Sequence, residues 1–504
     1  MNLLSQSTDR MSGLAALALG ALLAGALSGQ AARGELTIVK NADGQEGLFV
    51  FQMTVDPAPE PVPALQHRLM LRERELKPGN AATLYLRAYP EGGIEQTWKS
   101  VRTTFGEEEV ERWYATETPL DKLPLEKVRV ATGMFDTLLK EHLRPASERL
   151  DCDWGHRTIT ERRGPDVYSF LLPDLQAMRA VGRAVTLCTR VAIADRKYDE
   201  AIDLLRINYR LGENVAKSPL LVSGLIGLAI CGTANLELAE LVASPGSPNL
   251  YWAIAELPRP IVDIRTALRL ELSMYADVMP VLDHPEKAQH TPEQWAKLLA
   301  SSTEALQSLG SGAPTLNSTQ AQLAVTGFSL LAYGDAKRRL IAGGLPGDEV
   351  EAMPVGQVIA IDAERQYRFF TNELEKWYYV PFAVAKQHEQ KLDQLLSQGK
   401  LELGAGGMLA NLLLPALSSV RNAELRIERQ LNALQVVEAI RMHAADTGRL
   451  PEGLDKITVV PVPLNPMTDR PFEYRLDGDL AVLELPSTDG DPNSAWRFEI
   501  RLAK

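Results

Sequence analysis

The stretch LLPDLQAMRAVGRAVTLCTRVAIADRKYDEAIDLLRINYRLGENVA, residues 171–216, decides the fold of this chain of 504 residues. Apolar residues recur at helical spacing in its two halves, 171–195 and 198–216, and a polar Asp-Arg-Lys turn at 195–197 separates them. Small residues that allow a second helix to approach closely lie along the first half, at Ala180, Gly182, Ala184 and Ala192. These features predict two antiparallel helices packed as a hairpin.

The same periodicity extends over most of the chain. Between about residue 80 and about residue 447, apolar residues recur at helical spacing, and Pro and Gly separate one run from the next. The predicted helices occupy 79–88, 106–114, 124–140, 171–195, 198–216, 219–242, 259–278, 292–307, 317–342, 355–395 and 410–447. The sequence therefore predicts a mainly α fold, built as an irregular antiparallel helical array.

The second helix of the opening hairpin begins Tyr198-Asp-Glu-Ala201-Ile-Asp-Leu-Leu205. With a small residue at Ala201, it resembles the second half of a tetratricopeptide repeat, where close helix packing requires such a residue. No repeat of ~34 residues recurs elsewhere in the sequence. We therefore expect TPR-like hairpins within an irregular array and not a regular solenoid.

An uncharged run at 218–236 (SPLLVSGLIGLAICGTANL) is long enough to raise the question of a membrane span. Glu237 and Glu240 continue the same helix, and the run contains several glycines and polar residues. We therefore predict a buried central helix, in which Gly224 and Gly227 allow close contact with neighbouring helices.

The N-terminus predicts a secretory signal peptide at residues 1–31. Arg10 precedes an uncharged run at 11–28 that is rich in Ala, Leu and Gly, and Gly29-Gln30-Ala31 has the small-x-small pattern of a cleavage site. The alternative is a membrane anchor formed by residues 11–28, since the run approaches the ~20 apolar residues of a spanning helix. We expect a periplasmic or extracellular protein that contacts the membrane only through an uncleaved N-terminus.

The rest of the chain divides by composition into four parts. We predict a Pro-rich N-terminal extension at 32–64, a helical domain at 65–308, a second helical segment at 309–404 and a C-terminal module at 405–504. The extension contains two possible short strands, at 36–39 and 48–51, before four prolines between residues 57 and 63 exclude a helix. We interpret this extension as a tether.

The C-terminal module combines one long amphipathic helix, closed by Gly448 and Pro451, with short alternating strands. Its helix end, Asp446-Thr-Gly448-Arg-Leu-Pro451, and its turn and strand, Asn465-Pro466 and Pro471-Phe-Glu-Tyr474, resemble the globular part of type IV pilins and type II secretion pseudopilins. The resemblance implies a helix packed on a small antiparallel sheet. Filament assembly is not implied, because Gly406-Gly407-Met408 is internal and lacks the basic leader of that family.

Three short motifs elsewhere are similar to those of uncharacterised exported bacterial proteins, a resemblance that implies export and no particular activity. They are Pro78-Gly-Asn-Ala-Ala82, Cys152-Asp-Trp154 and Pro248-Asn-Leu-Tyr-Trp252.

The sequence contains no recognisable catalytic motif. It lacks the nucleophile elbow, the phosphate-binding loop, the dinucleotide-binding loop and the paired histidines of zinc hydrolases. Cys152, Asp153 and His156 are close enough in sequence to share a metal, but Trp154-Gly155 between them favours a surface turn. With Cys188 and Cys231, the chain has three cysteines, so at most one disulfide is possible, and the sequence does not say whether one forms.

Calcium is the one ion that the sequence suggests, and no other cofactor is predicted. Asp489, Asp491 and Asn493 place oxygen ligands at alternating positions, as the start of a calcium loop does. The pseudopilin resemblance also implies calcium near the C-terminus. A solvated turn is favoured over a calcium site, because the residues that complete an EF-hand are missing.

A cluster of aromatic residues marks a candidate partner-binding site at Trp377, Tyr378 and Tyr379. Three consecutive rings on a helix cannot all face inward, so we expect at least one of them at the surface.

The net charge of -12 excludes nucleic acid as a partner, because nucleic-acid binding depends on clustered Lys and Arg. The leading hypothesis is an exported, non-catalytic helical scaffold of the cell envelope that binds another protein through an exposed apolar or aromatic patch. The alternative is a hydrolase or small-ligand-binding protein, with a cleft between the helical body and the C-terminal module.

Overall fold

A computed structural model describes residues 33–40, 46–88, 93–115, 118–161, 173–308, 318–398, 404–487 and 494–503. Within these ranges the protein is mostly helical, with one small mixed sheet, so the predicted mainly α class is confirmed. The predicted signal peptide lies outside the described residues.

The described residues of the N-terminal half contain ten α-helices. In chain order they are α1 (Ala82–Arg87), α2 (Ile94–Phe105), α3 (Glu107–Tyr114), α4 (Leu125–Gly133), α5 (Asp136–Leu138), α6 (Arg144–Ser147), α7 (Pro173–Ala194), α8 (Tyr198–Ala216), α9 (Leu221–Ala243) and α10 (Tyr251–Ala255). One π-helical turn, Leu139–Leu143, joins α5 to α6.

The second half continues with α11 (Arg265–Ser273), α12 (Tyr275–Val278), α13 (Pro292–Ser308), α14 (Ser318–Ala342), α15 (Gly347–Ala352), α16 (Val355–Glu375), α17 (Phe382–Gln398) and α18 (Gly404–Thr447). Short 3-10 helices lie at Glu73–Glu75, Leu120–Lys122, His156–Glu161, Pro280–Leu282, Lys376–Tyr379 and Leu454–Lys456.

The strands are β1 (Gly34–Lys40), β2 (Glu46–Val55), β3 (Lys77–Asn80), β4 (Arg149–Asp151), β5 (Glu473–Asp477), β6 (Leu480–Leu485) and β7 (Trp496–Leu502). Five of them form one sheet in the order β1-β2-β7-β6-β5, while β3 and β4 pair separately.

The two predicted N-terminal strands are present, but the interpretation of their surroundings as a tether is wrong. Strand β2 pairs in parallel with β7, so that Phe51 lies opposite Phe498, and β1 pairs antiparallel with β2. The C-terminal sheet is therefore mixed and not the small antiparallel sheet that the pilin resemblance implied. β7 pairs with the edge of β2, while the alternating apolar residues of β2 bury one face in the core that the sheet shares with the helical body.

Helices α7, α8 and α9 form the centre of the helical body. α8 and α9 approach closely because Gly212 and Gly227 face one another: a Cβ on Gly227 would lie 2.5 Å from the Gly212 carbonyl oxygen. Helix α9 is long and apolar enough to cross a membrane, and 61% of its most apolar window is buried inside the protein. The prediction of a buried central helix at this position is confirmed.

Two predicted helix boundaries are wrong for identifiable reasons. The segment 355–395 is two helices, because Pro381 cannot donate a helical hydrogen bond and α16 ends in the 3-10 helix Lys376–Tyr379. The segment 410–447 starts earlier, since α18 runs unbroken from Gly404 to Thr447. Its N-terminal residues pack tightly on α16, where a Cβ at Gly406 would collide with the Ala363 carbonyl oxygen.

One hydrophobic core joins the sheet to the helical body. It includes Leu36 and Phe51 from the N-terminal strands, Leu205 and Ile230 from the helical body, and Ile500 from the last strand. The domain boundaries at 64, 308 and 404 stay predictions.

The close contact of α8 and α9 gives a stability prediction. We expect Gly227→Ala to destabilise the protein by about 1–3 kcal/mol, because the new methyl group overlaps the Gly212 carbonyl and the two helices must separate. Denaturant unfolding followed by circular dichroism measures the change.

Gly133→Ala is the matched control, since nothing lies within 4 Å of the added Cβ at this helical position. We expect this control to be neutral or slightly stabilising, because alanine has the higher helix propensity. Equal unfolding midpoints for the two variants would contradict the close packing of α8 on α9.

Candidate functional site

The three aromatic residues predicted to bind a partner lie in the 3-10 helix Lys376–Tyr379, where α16 ends. Their side chains point in different directions. Trp377 stacks on His388 of α17, with ring centroids 4.0 Å apart and planes inclined by 12°. Tyr378 is buried, and Tyr379 is 51% exposed. The expectation that at least one ring lies at the surface is confirmed for Tyr379.

Tyr378 packs beneath a buried arginine. The Arg421 guanidinium carbon lies 4.6 Å from the Tyr378 ring centroid, the guanidinium forms an ion pair with Glu389, and it donates a hydrogen bond to the Val380 carbonyl. Burial raises the pKa of Tyr378 above its ordinary value, so its hydroxyl stays neutral. Tyr378 therefore joins α18 to the end of α16 and is not available to a partner.

Tyr379 lies at the rim of the same region, between α11 and α16. Its hydroxyl accepts hydrogen bonds from Nε and Nη2 of Arg269, at 2.9 and 2.7 Å, and donates one to Glu375 at 2.6 Å. These bonds fix an exposed ring in one orientation. A rigid, amphipathic ring of this kind is the side chain that protein interfaces favour.

Behind this rim, α18 carries two carboxylates in an environment that disfavours their charge. The pKa of Glu424 is raised to about 8, mainly by burial and also by the negative charges of Glu428 and Asp263, while Arg421 and Arg265 oppose the shift. Burial also raises the pKa of Glu428. Both carboxyl groups therefore keep a proton to higher pH than an ordinary glutamate does.

The most exposed large apolar side chains concentrate on the helices around this region. Among the described residues, eight such side chains are at least half exposed, and six of these lie between residues 330 and 395, on α14, α16, α17 and the 3-10 helix. We call these six the apolar surface: Leu330 (71%), Leu331 (85%), Phe369 (58%), Tyr379 (51%), Val384 (57%) and Leu395 (61%). The other two, Val62 and Val130, lie outside this segment.

The local sequence explains why these side chains are outside. Val384 and Leu395 are eleven residues apart, about three helical turns, so they share one face of α17, which differs from the face that carries the buried Ala385 and Leu392. Leu330 and Leu331 are adjacent on α14. Phe369 lies on α16, C-terminal to the residues of α16 that contact α14.

Phe369 also lines a shallow hollow of about 360 Å³ between α14 and α16. Arg339 and Asp362 pair at the hollow through hydrogen bonds of 2.9 and 2.6 Å, and Gln366 donates to the same carboxylate. Arg339 and Asp362 neutralise one another, so the hollow offers a partner the Arg365 side chain and the rings of Phe369 and Phe370.

The candidate calcium ligands Asp489, Asp491 and Asn493 lie outside the described residues. In the described part of the chain, no group of three or more His, Cys, Asp or Glu side chains has the geometry to hold a metal ion. Burial raises the pKa of the Cys152 thiol to about 12, which makes it a poor ligand or nucleophile at neutral pH.

His156 instead joins two polar side chains that the sequence did not link to it. Its Nδ1 lies 2.9 Å from the Ser218 hydroxyl and its Nε2 lies 3.0 Å from the Asp174 carboxylate. The residue types are those of a hydrolase triad, but Ser218 is 1% exposed and cannot meet a substrate in this position. The arrangement fixes the start of α7 against the turn between α8 and α9.

Two buried ion pairs were missed by sequence analysis. Arg190 binds Glu240 with two hydrogen bonds, of 3.0 and 2.8 Å, and Glu438 pairs with Arg441 at 3.0 Å. All four side chains are almost completely buried. One sequence signal could have indicated that these side chains are buried: Glu240, Glu438 and Arg441 lie within otherwise apolar helical runs.

No protein-family model matches this chain, and neither the curated proteins nor the solved structures contain a significant match. The resemblances to pilins, to tetratricopeptide repeats and to exported bacterial proteins therefore stay predictions.

The raised pKa of Glu424 predicts a pH dependence of stability. In the unfolded chain Glu424 loses its proton above the ordinary glutamate pKa of 4.5, whereas in the folded chain it keeps the proton up to about pH 8. The contribution of Glu424 therefore lowers the free energy of unfolding as pH rises from 4.5 to about 8. We expect Glu424→Gln to equal the wild type near pH 4.5. At pH 8 the variant is expected to be more stable, by an amount on the order of a few kcal/mol.

Chemical denaturation across this pH range measures the difference between the two chains. Contributions from other buried groups, such as Glu237, are common to both and cancel. Glu126→Gln is the control, because the Glu126 side chain is 93% exposed and its substitution should leave the pH profile unchanged. A Glu424→Gln profile parallel to that of the wild type would rule out the protonated carboxyl.

Proposed function

We propose that this protein is an exported, non-catalytic helical scaffold of the cell envelope, and that it binds a protein partner through the apolar surface. The observation that carries the proposal is the concentration of six of the eight half-exposed large apolar side chains on one group of packed helices. Scattered single apolar residues need no explanation, whereas a concentrated set marks an interaction site.

Covering exposed apolar side chains would contribute free energy to the binding of a partner. Burying one large apolar side chain contributes roughly 1.5–3 kcal/mol, so covering Leu330, Leu331 and Phe369 would supply much of the free energy of a specific contact. Tyr379 adds a ring whose orientation Arg269 and Glu375 already fix, so binding would order little there. These features support a protein partner.

We also propose an assignment for two parts of the chain, the α7–α8 hairpin and the C-terminal part. The α7–α8 hairpin, with fully buried Ala201 at its contact, is proposed to be a TPR-like unit. The C-terminal part, in which the second half of α18 packs on β5, β6 and β7, is proposed to be a pilin-like module that serves as an accessory domain. Export rests on the predicted signal peptide at residues 1–31.

Deleting the C-terminal module is a poor test of this function. Strand β7 pairs with β2, and Arg441 of α18 binds backbone carbonyls of the N-terminal strand region and of the loop before α10. Removing residues 405–504 would therefore expose the core and cause unfolding. Single substitutions on the surface avoid this problem.

Site-specific photo-crosslinking tests the apolar surface. We expect p-benzoylphenylalanine at position 331 to yield an adduct of defined mass in intact envelopes, because Leu331 is 85% exposed within the apolar surface. The same probe at position 62, where Val62 is 88% exposed elsewhere, is the matched control and should yield none.

Combining the probe at position 331 with Phe369→Ser should remove most of the adduct, because the substitution takes a large ring from the surface while leaving the fold intact. Equal adducts at positions 331 and 62, or an adduct that Phe369→Ser does not reduce, would contradict binding at the apolar surface.

The export prediction has its own test. We expect mass spectrometry of the purified native protein to find a mature N-terminus at Ala32, directly after the small-x-small pattern Gly29-Gln30-Ala31. Uncleaved protein confined to membranes would favour the anchor at residues 11–28. Uncleaved protein in the cytosol would rule out export.

A further inference from the structure

A groove of about 750 Å³ lies where the sheet meets the helical body. Its walls come from the start of β1, the end of β2, the 3-10 helix at Leu120, the turn between α7 and α8, and the C-terminal end of α9. The volume lies within the range of ~300–1,000 Å³ that is typical of small-molecule sites. None of its lining residues belongs to the apolar surface.

A buried ion pair holds the groove in shape. Arg190 binds both carboxylate oxygens of Glu240 through Nε and Nη2, and its Nη1 donates to the carbonyls of Trp113 and Ala115 on the chain that leads to the 3-10 helix. Tyr198 donates to the Pro245 carbonyl at 2.5 Å and fixes the opposite wall. The groove is therefore formed before any ligand binds.

Two arginines contribute positive charge to the groove. Arg33 uses Nη1 to bind Asp56 at 2.8 Å, and its side chain is still 38% exposed. Among the described residues, the Arg196 guanidinium has no hydrogen bond or ion pair. Both arginines line this groove, Arg33 at the start of β1 and Arg196 at the turn between α7 and α8.

The backbone at Arg196 fixes where its side chain starts. Its φ of 59° lies in the left-handed region, where a glycine or asparagine would be less strained than an arginine. The amides of Arg196 and Lys197 donate to the carbonyls of Ile193 and Ala192 and close the C-terminal end of α7. The fold therefore holds the Arg196 cation at the turn beside the groove.

The other lining groups define the kind of ligand. Glu240 is neutralised by Arg190, which leaves Asp121 as the one lining carboxylate without an ion pair among the described residues. Apolar contacts come from Ile193, Ala194, Ala243, Leu120, Leu125 and Ala503.

We propose that this groove binds a small organic anion, a molecule that joins a carboxylate-like group to an apolar body. Arg196 and Arg33 bind the anionic group, and the aliphatic side chains contact the apolar part. The proposal is independent of protein binding at the apolar surface, because the two sites share no residue.

Fluorescence of 8-anilinonaphthalene-1-sulfonate, an anion with an apolar body, tests the groove. The titration uses the Leu330→Ser/Leu331→Ser protein, so that the two most exposed residues of the apolar surface do not bind the dye. We expect saturable binding at one site, displaced by octanoate and not by octan-1-ol at the same concentration, because only octanoate carries the charge.

Arg196→Gly separates a binding role from a structural one. The substitution relieves the strained backbone, so the melting temperature should stay equal or rise, while dye affinity should fall at least about tenfold with the loss of a charge-assisted hydrogen bond. Arg33→Gln should also weaken binding. Arg338→Gln, on a side chain that is 75% exposed on α14, is the control and should have no effect.

The outcomes decide the proposal without ambiguity. Absence of saturable dye binding, displacement by octan-1-ol as effective as by octanoate, or unchanged affinity in Arg196→Gly would each overturn it. Loss of binding together with a lower melting temperature in Arg196→Gly would also count against it, since the arginine would then serve the fold.

Discussion

A fully buried ion pair between Glu438 and Arg441, on consecutive turns of α18, connects the parts of this protein. Arg441 donates hydrogen bonds to the carbonyls of Asp56, Ser247 and Pro248, and Glu438 accepts one from the Leu250 amide. Burying two charges is favourable only when such bonds satisfy them, and removing one partner of a buried pair costs about 3–5 kcal/mol. The exit of β2 and the loop before α10 are therefore attached to one point on α18.

This attachment explains why the sheet and the helical body behave as one structure. The pairing of β2 with β7 brings together residues 447 positions apart, such as Gln52 and Glu499. The five-stranded sheet needs both β2 and β7, because each joins the other to the rest of the sheet. The core beneath the sheet also includes Ile230 of α9. The groove at the start of β1 exists because these distant segments meet there.

Buried polar groups in this protein mostly stabilise its architecture. Arg190 with Glu240, Arg421 with Glu389, and His156 with Ser218 and Asp174 each connect two or more helices or turns. Their polar atoms are occupied by neighbouring protein groups. The groups that remain available for binding are different in kind, namely the apolar side chains on α14, α16 and α17 and the guanidinium of Arg196.

The sequence by itself determined the local structure. The apolar periodicity of residues 171–216 specified the hairpin of α7 and α8, the buried helix α9 followed from its uncharged run, and the alternation at 36–39 and 48–51 indicated β1 and β2. It also placed an aromatic cluster at 377–379, with one ring at the surface. These features depend on residues that are close in sequence, so the local pattern of apolar and polar residues predicts them.

Only the tertiary structure decided the rest. Strand β7 and its parallel pairing with β2 were not predicted, because alternation does not say which distant strand is the partner. Likewise, the burial of Tyr378 depends on Arg421 of α18, and the exposure of Leu331 depends on the absence of a covering helix among the described residues. The groove beside Arg196 is formed by segments far apart in sequence. Burial and cavities depend on every segment that packs around a residue, and a local sequence pattern does not show those segments.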